Sequence, residues 1–377
     1  MIVYILMQIF NMVMVGLNQI KQINKNFLTI ISFCIVSFFL GFGYLNGSDW
    51  MAYQNSYENI IDKTYESGFF YYMFFFKSLG VNFEIFRFFS CFIDLLIIYS
   101  SAKHDTKYYL LFILLYFTEV LLFLELDGPM RQAKAIVLCI FSIRYIYKKK
   151  ILKFYIIILI AILFHRTAIL FLPVYFIQKI KFSWTKLVIS LLIIHFFQNI
   201  FLLPILKFAA IITQKSLSYF DSIYSLPQNN NFILEIGRQL IYLLPVYIID
   251  KNKKFYKLKI RNLDIFFNLS CVFIIILNIA LYFNIVGRAY LYFNYGIYIL
   301  YTYIIYDSKQ KNKIIIIFIV MIFSLKEYLM LEKWRKIDNY RYIPYTNYIV
   351  EIFNNNLLKY KEKTIRRKYE GSNNFWN

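Results

Sequence analysis

The chain has 377 residues, of which 60% are hydrophobic and 21% aromatic but only 17% charged, a balance that excludes an ordinary soluble domain. Its apolar runs cover the whole length, so no polar stretch is large enough to fold as a separate catalytic domain. The formal net charge of +21 would suggest nucleic acid in a soluble protein; here Lys and Arg gather in short connections between apolar runs, where they read as topology signals and contacts to anionic lipid, and no nucleic-acid partner is expected.

In chain order, the apolar runs fall at about 1–17, 27–45, 67–80, 84–101, 108–124, 132–147, 154–177, 185–203, 236–249, 264–283, 289–306 and 314–331. They predict an all-α, polytopic integral membrane protein with about 10–12 transmembrane helices. The first run, Met1 to Leu17, lacks a basic leader and a small-residue cleavage site, so it reads as a membrane helix and not as a removed signal peptide. The runs at 67–80 and 84–101 fit two helices, or one full helix with a shorter re-entrant piece. The run at 154–177 fits one tilted helix or two half-helices meeting near His165, since broken backbone at depth is tolerated where protein or water covers it. Residues 1–331 form the expected membrane domain and 332–377 a polar, basic tail; no internal repeat is visible.

Charge in the connections sets the expected orientation. Arg144, Lys148, Lys149, Lys150 and Lys153 have no acid among them and should be cytoplasmic, as should Lys251 to Arg261 and Lys309 to Lys313. The connection over 46–66 holds Asp49, Glu58, Asp62 and Glu66 against the single Lys63, and should be outside. Counting crossings also puts outside the Glu125–Arg131 connection, the loop over about 204–235 and the turn at Gly287–Arg288. The tail at Lys359–Lys368 looks cytoplasmic by composition, whereas the count leaves it outside. The four cysteines, Cys34, Cys91, Cys139 and Cys271, each sit inside an apolar run and read as small core residues, not disulfides or metal ligands.

His165 and Arg166 interrupt the middle of an apolar segment long enough to cross a bilayer, and the chain has only three histidines. Ionisable groups at such depth usually line a cavity or a pathway. With them stand Asp49 in the acidic outer loop, Arg131 opening one helix and Arg288 opening another. Guanidinium groups converging on one face suit a di- or polyanion, because they bind phosphate oxygens as a fork and stay charged. Asp49 or His165 could take a proton from an attacking hydroxyl. The plainer reading makes the carboxylates solvated loop groups and the arginines contacts to lipid phosphate.

Sequence context favours the functional reading. Gly47-Ser48-Asp49-Trp50-Met51-Ala52-Tyr53, with Tyr57 four further on, is followed by Met130-Arg131-Gln132-Ala133, then Phe164-His165-Arg166-Thr167-Ala168-Ile169, then Gly287-Arg288-Ala289-Tyr290. This ordered set, running from about residue 25 to Pro344-Tyr345, resembles the EpsG-type branch of the Wzy polysaccharide polymerases; the basic tail is a departure from it. The resemblance implies a membrane glycosyltransferase on the outer face of the bacterial inner membrane. It would move a growing glycan from undecaprenyl diphosphate onto a new lipid-linked repeat unit of O-antigen, capsule or exopolysaccharide. Asp49 and His165 are the candidate catalytic residues, and Arg131, Arg166, Arg288, Tyr53 and Gln132 the candidate diphosphate and glycan binders. The reading needs no metal or cofactor, although Glu125-Leu126-Asp127 resembles the acidic pair of metal-dependent glycosyltransferases. The lipid bilayer and the lipid-linked glycan are its partners, with a chain-length regulator left open. An O-antigen ligase or another polyprenyl-linked glycosyltransferase would share the arginines, as would a lipid-linked oligosaccharide flippase, which should instead show internal repeats.

The charge pattern makes the first prediction. A topology reporter fused after Lys150 should be active only in the cytoplasm, and one placed within Gln54–Asp62 only outside. Both sites on one side would remove the single-face cluster.

Overall fold

Inside an apolar solvent each backbone N–H and C=O must find its partner within the protein, and a helix does this within one segment. A computed structural model describes residues 2–20, 22–47, 49–59, 65–127, 129–197, 232–282, 288–307 and 345–354, with Ile200 and Pro204. Among these residues the regular structure is helical, apart from one isolated antiparallel bridge between Gly43 and Asn347. The helices are α1 (Ile2–Leu17), α2 (Lys25–Gly41), α3 (Trp50–Asn59), α4 (Ser67–Ser78), α5 (Phe83–Asp105), α6 (Tyr109–Tyr116), α7 (Met130–Tyr147), α8 (Ile151–Phe164) and α9 (Trp184–Phe197). After them come α10 (Phe232–Lys251), α11 (Lys253–Lys259), α12 (Leu263–Tyr282), α13 (Tyr295–Asp307) and α14 (Tyr348–Phe353). A π-helix (Phe117–Asp127) continues α6, and 3-10 helices cover Arg166–Lys179 and Ala289–Tyr292.

The protein is an all-α polytopic membrane protein. Phe83–Asp105, Tyr109–Leu126 and Leu263–Ala280 are long and apolar enough to span a bilayer, and α1, α2, α8 and α9 are shorter apolar helices. The surface of these helices carries large apolar side chains, with Leu6 57%, Phe27 59%, Leu152 70% and Phe196 70% exposed. Polar groups such as Gln8, Asn11, Ser32 and Thr118 are buried instead, an arrangement that suits lipid outside and polar contacts within. Several helix–helix bonds come from those groups: Thr118 donates to Gln8 at 2.8 Å, and the Ser32 and Tyr99 hydroxyls are 2.9 Å apart.

The chain divides into two compact units, Met1–Ile169 with Lys309–Asn377, and Leu170–Ser308. In the first, α5 packs against α2 and α7, α7 against α8, and α1 against α6. Contacts sort its helix ends into two sets. At one end Lys103 donates to Asn26, Arg144 to Ser101, and Tyr147 lies against His104 and Asp105. At the other end lie Gly43, Asn82, Arg87 and Glu125, where the buried Arg87 donates to the Gly43 and Glu125 carbonyls. A strap from the C-terminal part closes this end: Tyr44 N–H donates to Thr346 O at 2.8 Å, Tyr348 N–H to Phe42 O at 2.9 Å, and Tyr345 hydroxyl to Phe39 O at 2.6 Å.

The second unit is built on α12, which packs against α9, α10 and α13. Buried Asn268 of α12 donates to both Ile177 O and Ile180 O, satisfying carbonyls at the end of the long 3-10 helix. Close by along the chain, Lys253 and Lys257 pair with Asp264, and Lys259 with Asp307.

Three expectations are refined. The 67–101 region is a short helix, α4, followed by the full-length α5. The 154–177 run breaks into α8 and a 3-10 helix, with His165 extended between them (φ −156°, ψ 122°). Helix continues through Asp127, so Glu125 ends a buried segment and does not stand in a loop. Most of the expected outer loop over 204–235, the apolar run at 314–331 and most of the 332–377 tail lie outside the described residues.

One buried ion pair crosses the first unit. Lys134 of α7 lies 2.9 Å from Asp94 of α5, with side chains 6% and 3% exposed, and also donates to Ser90 O. A pair so enclosed is costly to break from one side, because the partner stays charged without water.

Where α4 begins it touches the end of α8 at Gly68. A Cβ there would lie 2.8 Å from both Leu163 Cβ and Leu163 O, so backbone itself blocks a larger residue. Gly68→Ala should destabilise the protein by about 1–3 kcal/mol in detergent-solubilised unfolding, and trimming Leu163 to alanine should not rescue it. Gly16→Ala, where a Cβ meets nothing within 4 Å, should be neutral or stabilising by up to about 1 kcal/mol.

Candidate functional site

Four chain segments change direction at the Gly43–Arg87 end of the first unit, and each change carries a polar side chain. Gly47 takes φ +90°, a conformation glycine adopts without strain, and turns the chain from α2 into α3. Glu66 is the N-cap residue of α4. Pro129 precedes α7, so Arg131 occupies its first turn, and His165 is the extended residue that ends α8.

Glu66 joins them. Its Oε2 accepts from Arg131 Nη1 at 2.7 Å, and its Oε1 lies 3.3 Å from His165 Nδ1 and accepts from Arg166 N–H at 3.3 Å. Arg131 Nε donates to the buried Tyr53 hydroxyl at 3.2 Å, and the guanidinium stacks over the Tyr65 ring at 4.5 Å. The Glu66 side chain is 10% exposed, against 28% for Arg131 and 24% for His165. The carboxylate is therefore the enclosed hub, and the two basic groups are the open side of the cluster.

The electrostatics follow from these contacts. Burial alone would raise the Glu66 pKa. The His165 ring, the residue's own N–H and the Arg131 guanidinium outweigh burial and hold it at about 2, against an ordinary value of 4.5. Burial raises the Tyr53 phenol, against the pull of Arg131, so it serves as a neutral acceptor.

The expected site residues are distributed as follows. Tyr53, Arg131, His165 and the backbone of Arg166 come together, while the Arg166 side chain is exposed. Asp49 is half-buried; its carbonyl accepts from Tyr53 N–H at 3.1 Å and its charge is felt by the Tyr53 phenol. Gln132, next to Arg131, is 3% exposed and turned into the bundle. Tyr57 anchors α3 by donating to Val81 O and stacking on Phe86. Arg288 lies in the second unit, exposed, just before the 3-10 helix at Ala289.

Two features escaped sequence reasoning. Glu66 was one of four acids in a loop, marked only by its place before an apolar run; helix-start position and the glycine two residues on were the available signals. Asp94 and Lys134 are opposite charges, each flanked by apolar residues within an apolar run, which was itself a reason to pair them. Lys134 stands one turn after Arg131 on α7, so the helix carries both charged clusters. Glu125 lies among Arg87, Cys91, Asp94 and Lys134. No group of three or more His, Cys, Asp and Glu residues suited to a metal ion is found among the described residues.

The family model described as EpsG family matches residues 26–347. No curated protein and no solved structure matches the chain.

The lowered Glu66 pKa has a defined pH signature. Its contribution to stability is fully present above the ordinary value of 4.5 and is lost as pH falls through about 2. The gap in unfolding midpoint between the native protein and Glu66→Gln should stay constant down to about pH 4.5 and then narrow. A gap independent of pH across that window would show that the carboxylate charge is not what holds the cluster.

Proposed function

The chain belongs to the EpsG family, and on that premise we propose that it polymerises undecaprenyl-diphosphate-linked oligosaccharide repeat units at the extracytoplasmic face of the bacterial inner membrane. Family membership supports a membrane polysaccharide polymerase function. The finer reading rests above all on one observation: Arg131, His165 and Tyr53 meet around Glu66 at helix ends of one unit.

The chemistry asks for two kinds of group. A glycan leaving a lipid diphosphate develops negative charge on the leaving oxygens, and fixed cations that meet it lower the barrier. Arg131 is suited to this, because Glu66 and Tyr53 engage two of its five N–H donors and fix its plane. Arg166, exposed and next to His165 in the chain, offers a second guanidinium, and Arg288 is a candidate on its motif alone. The acceptor sugar hydroxyl needs a base, for which Asp49 and His165 are the candidates. The scheme uses charge and proton transfer only, and assigns no step to a metal.

Replacing Arg131 by lysine keeps a charge but removes the fork. Arg131→Lys and Arg288→Lys, present in the membrane at native level, should slow chain extension by about 10²–10³-fold, seen as loss of long glycan on gels. His165→Ala or Asp49→Ala should leave surface glycan capped by a single repeat unit, because flipping and ligation continue without polymerisation. Ladders of native length would remove these residues from the reaction. Complete absence of surface glycan would point instead to a flippase or a ligase.

A further inference from the structure

Resting on that reading, we propose that Glu66 is a positioning residue: it holds His165 with Nδ1 toward its own carboxylate, so that Nε2 is the atom that takes the proton from the acceptor hydroxyl.

The geometry begins in the backbone. Gly68 and Leu163 are in contact, and they lie two residues from Glu66 and from His165 respectively. The carboxylate and the imidazole are thus brought together by the close approach of α4 to α8. Oε1 accepts from Arg166 N–H and lies at ion-pair distance, 3.3 Å, from His165 Nδ1, a buried atom not aligned for a hydrogen bond to any group in this structure, and Oε2 is held by Arg131. Each carboxylate oxygen has a partner that restrains its rotation.

An ionised carboxylate only accepts hydrogen bonds. A neutral imidazole has one N–H and one lone pair, and the nitrogen that faces the carboxylate carries the N–H. That leaves the lone pair on Nε2. The groups facing this ring are Glu66 of α4, Arg131 of α7 behind that carboxylate, and Arg166, its neighbour in the chain. Tyr72 of α4 packs against Phe164, one residue before the ring. Glu66 does not compete for the proton, because Arg131 and the Arg166 N–H favour its ionised form.

In the step itself, the acceptor oxygen bonds to the anomeric carbon while the bond from that carbon to the diphosphate oxygen breaks. The bonding pair leaves on the diphosphate, and the hydroxyl proton moves to Nε2. The resulting imidazolium lies beside the Glu66 carboxylate and then releases its proton to water. Proton transfer is thereby assigned to His165 and not to Asp49.

The test uses the full-length protein in nanodiscs with ¹⁵N-labelled histidine. Only His104, His165 and His195 contribute signals, and His165→Gln identifies the one of interest. At about pH 9, where imidazole is neutral, the ring nitrogens of His165 should report the Nδ1–H tautomer. Glu66→Ala should shift it toward Nε2–H and reduce chain extension by about 10–100-fold. Glu66→Gln, which keeps an acceptor oxygen, should retain the tautomer. An Nε2–H tautomer in the native protein overturns the proposal whatever the variants do. So does full-length glycan from Glu66→Ala at native expression, even with Nδ1–H observed; in both cases the polymerase reading stands. Normal polymer from His165→Ala would instead overturn that reading together with this one.

Discussion

A helix interrupted within an apolar segment leaves backbone donors and acceptors that lipid cannot satisfy, and the protein must supply their partners. At His165 the chain stops being α-helical, and Arg166 N–H would be such a donor. Glu66 receives it, and the same carboxylate binds Arg131 and faces the His165 ring. The demand of the broken backbone and the assembly of the candidate site are therefore met by one side chain. The break is a requirement of the cluster: a continuous helix through residue 165 would use the Arg166 N–H internally and leave the carboxylate one partner short.

The remainder of the first unit holds this arrangement still. α7 is fixed one turn below Arg131 by the enclosed pair of Lys134 with Asp94. Arg87 ties the exit of α2 to the end of the π-helix through two carbonyls. Aromatic contacts fill the space between: Tyr53 against Tyr65 and Phe69, Tyr57 against Phe86, Trp50 against Phe83. In lipid the apolar faces gain little by meeting one another, so polar contacts and close packing specify which helices are neighbours. The polar groups buried here serve that purpose.

Much of this was legible in the sequence because the membrane imposes strong rules. Apolar runs gave the helical class, and the charge interrupting 154–177 marked the break at His165. Helix starts at Arg131 followed from short polar turns. What remained hidden was pairing. Four acids in one loop look alike until folding places one of them, Glu66, against the end of α8, and a glycine two residues on reads as an ordinary small residue until Leu163 lies against it. Periodicity also says nothing of whether a segment winds as α, π or 3-10 helix, as at 117–127 and 166–179. Arg288 shares a motif order with Arg131, but motif order does not reveal that it folds with the second unit.

The bridge between Gly43 and Asn347 sets an order of events during synthesis. Asn46 and Thr346 are 300 positions apart, yet the Asn46 side chain and Tyr44 N–H both donate to Thr346 O, and Phe42 O accepts from Tyr348 N–H. Helices α1 to α8 can enter the membrane and meet long before the ribosome reaches that strap. Until it does, Tyr44 N–H and Phe42 O lack their native partners, and the turn leading to Asp49 and Tyr53 lacks its lock. Closure over so long a separation is entropically slow. The cluster around Glu66 thus rests on a scaffold whose lock at residues 42–44 is supplied by residues 345–348, far along the chain from the helices it secures.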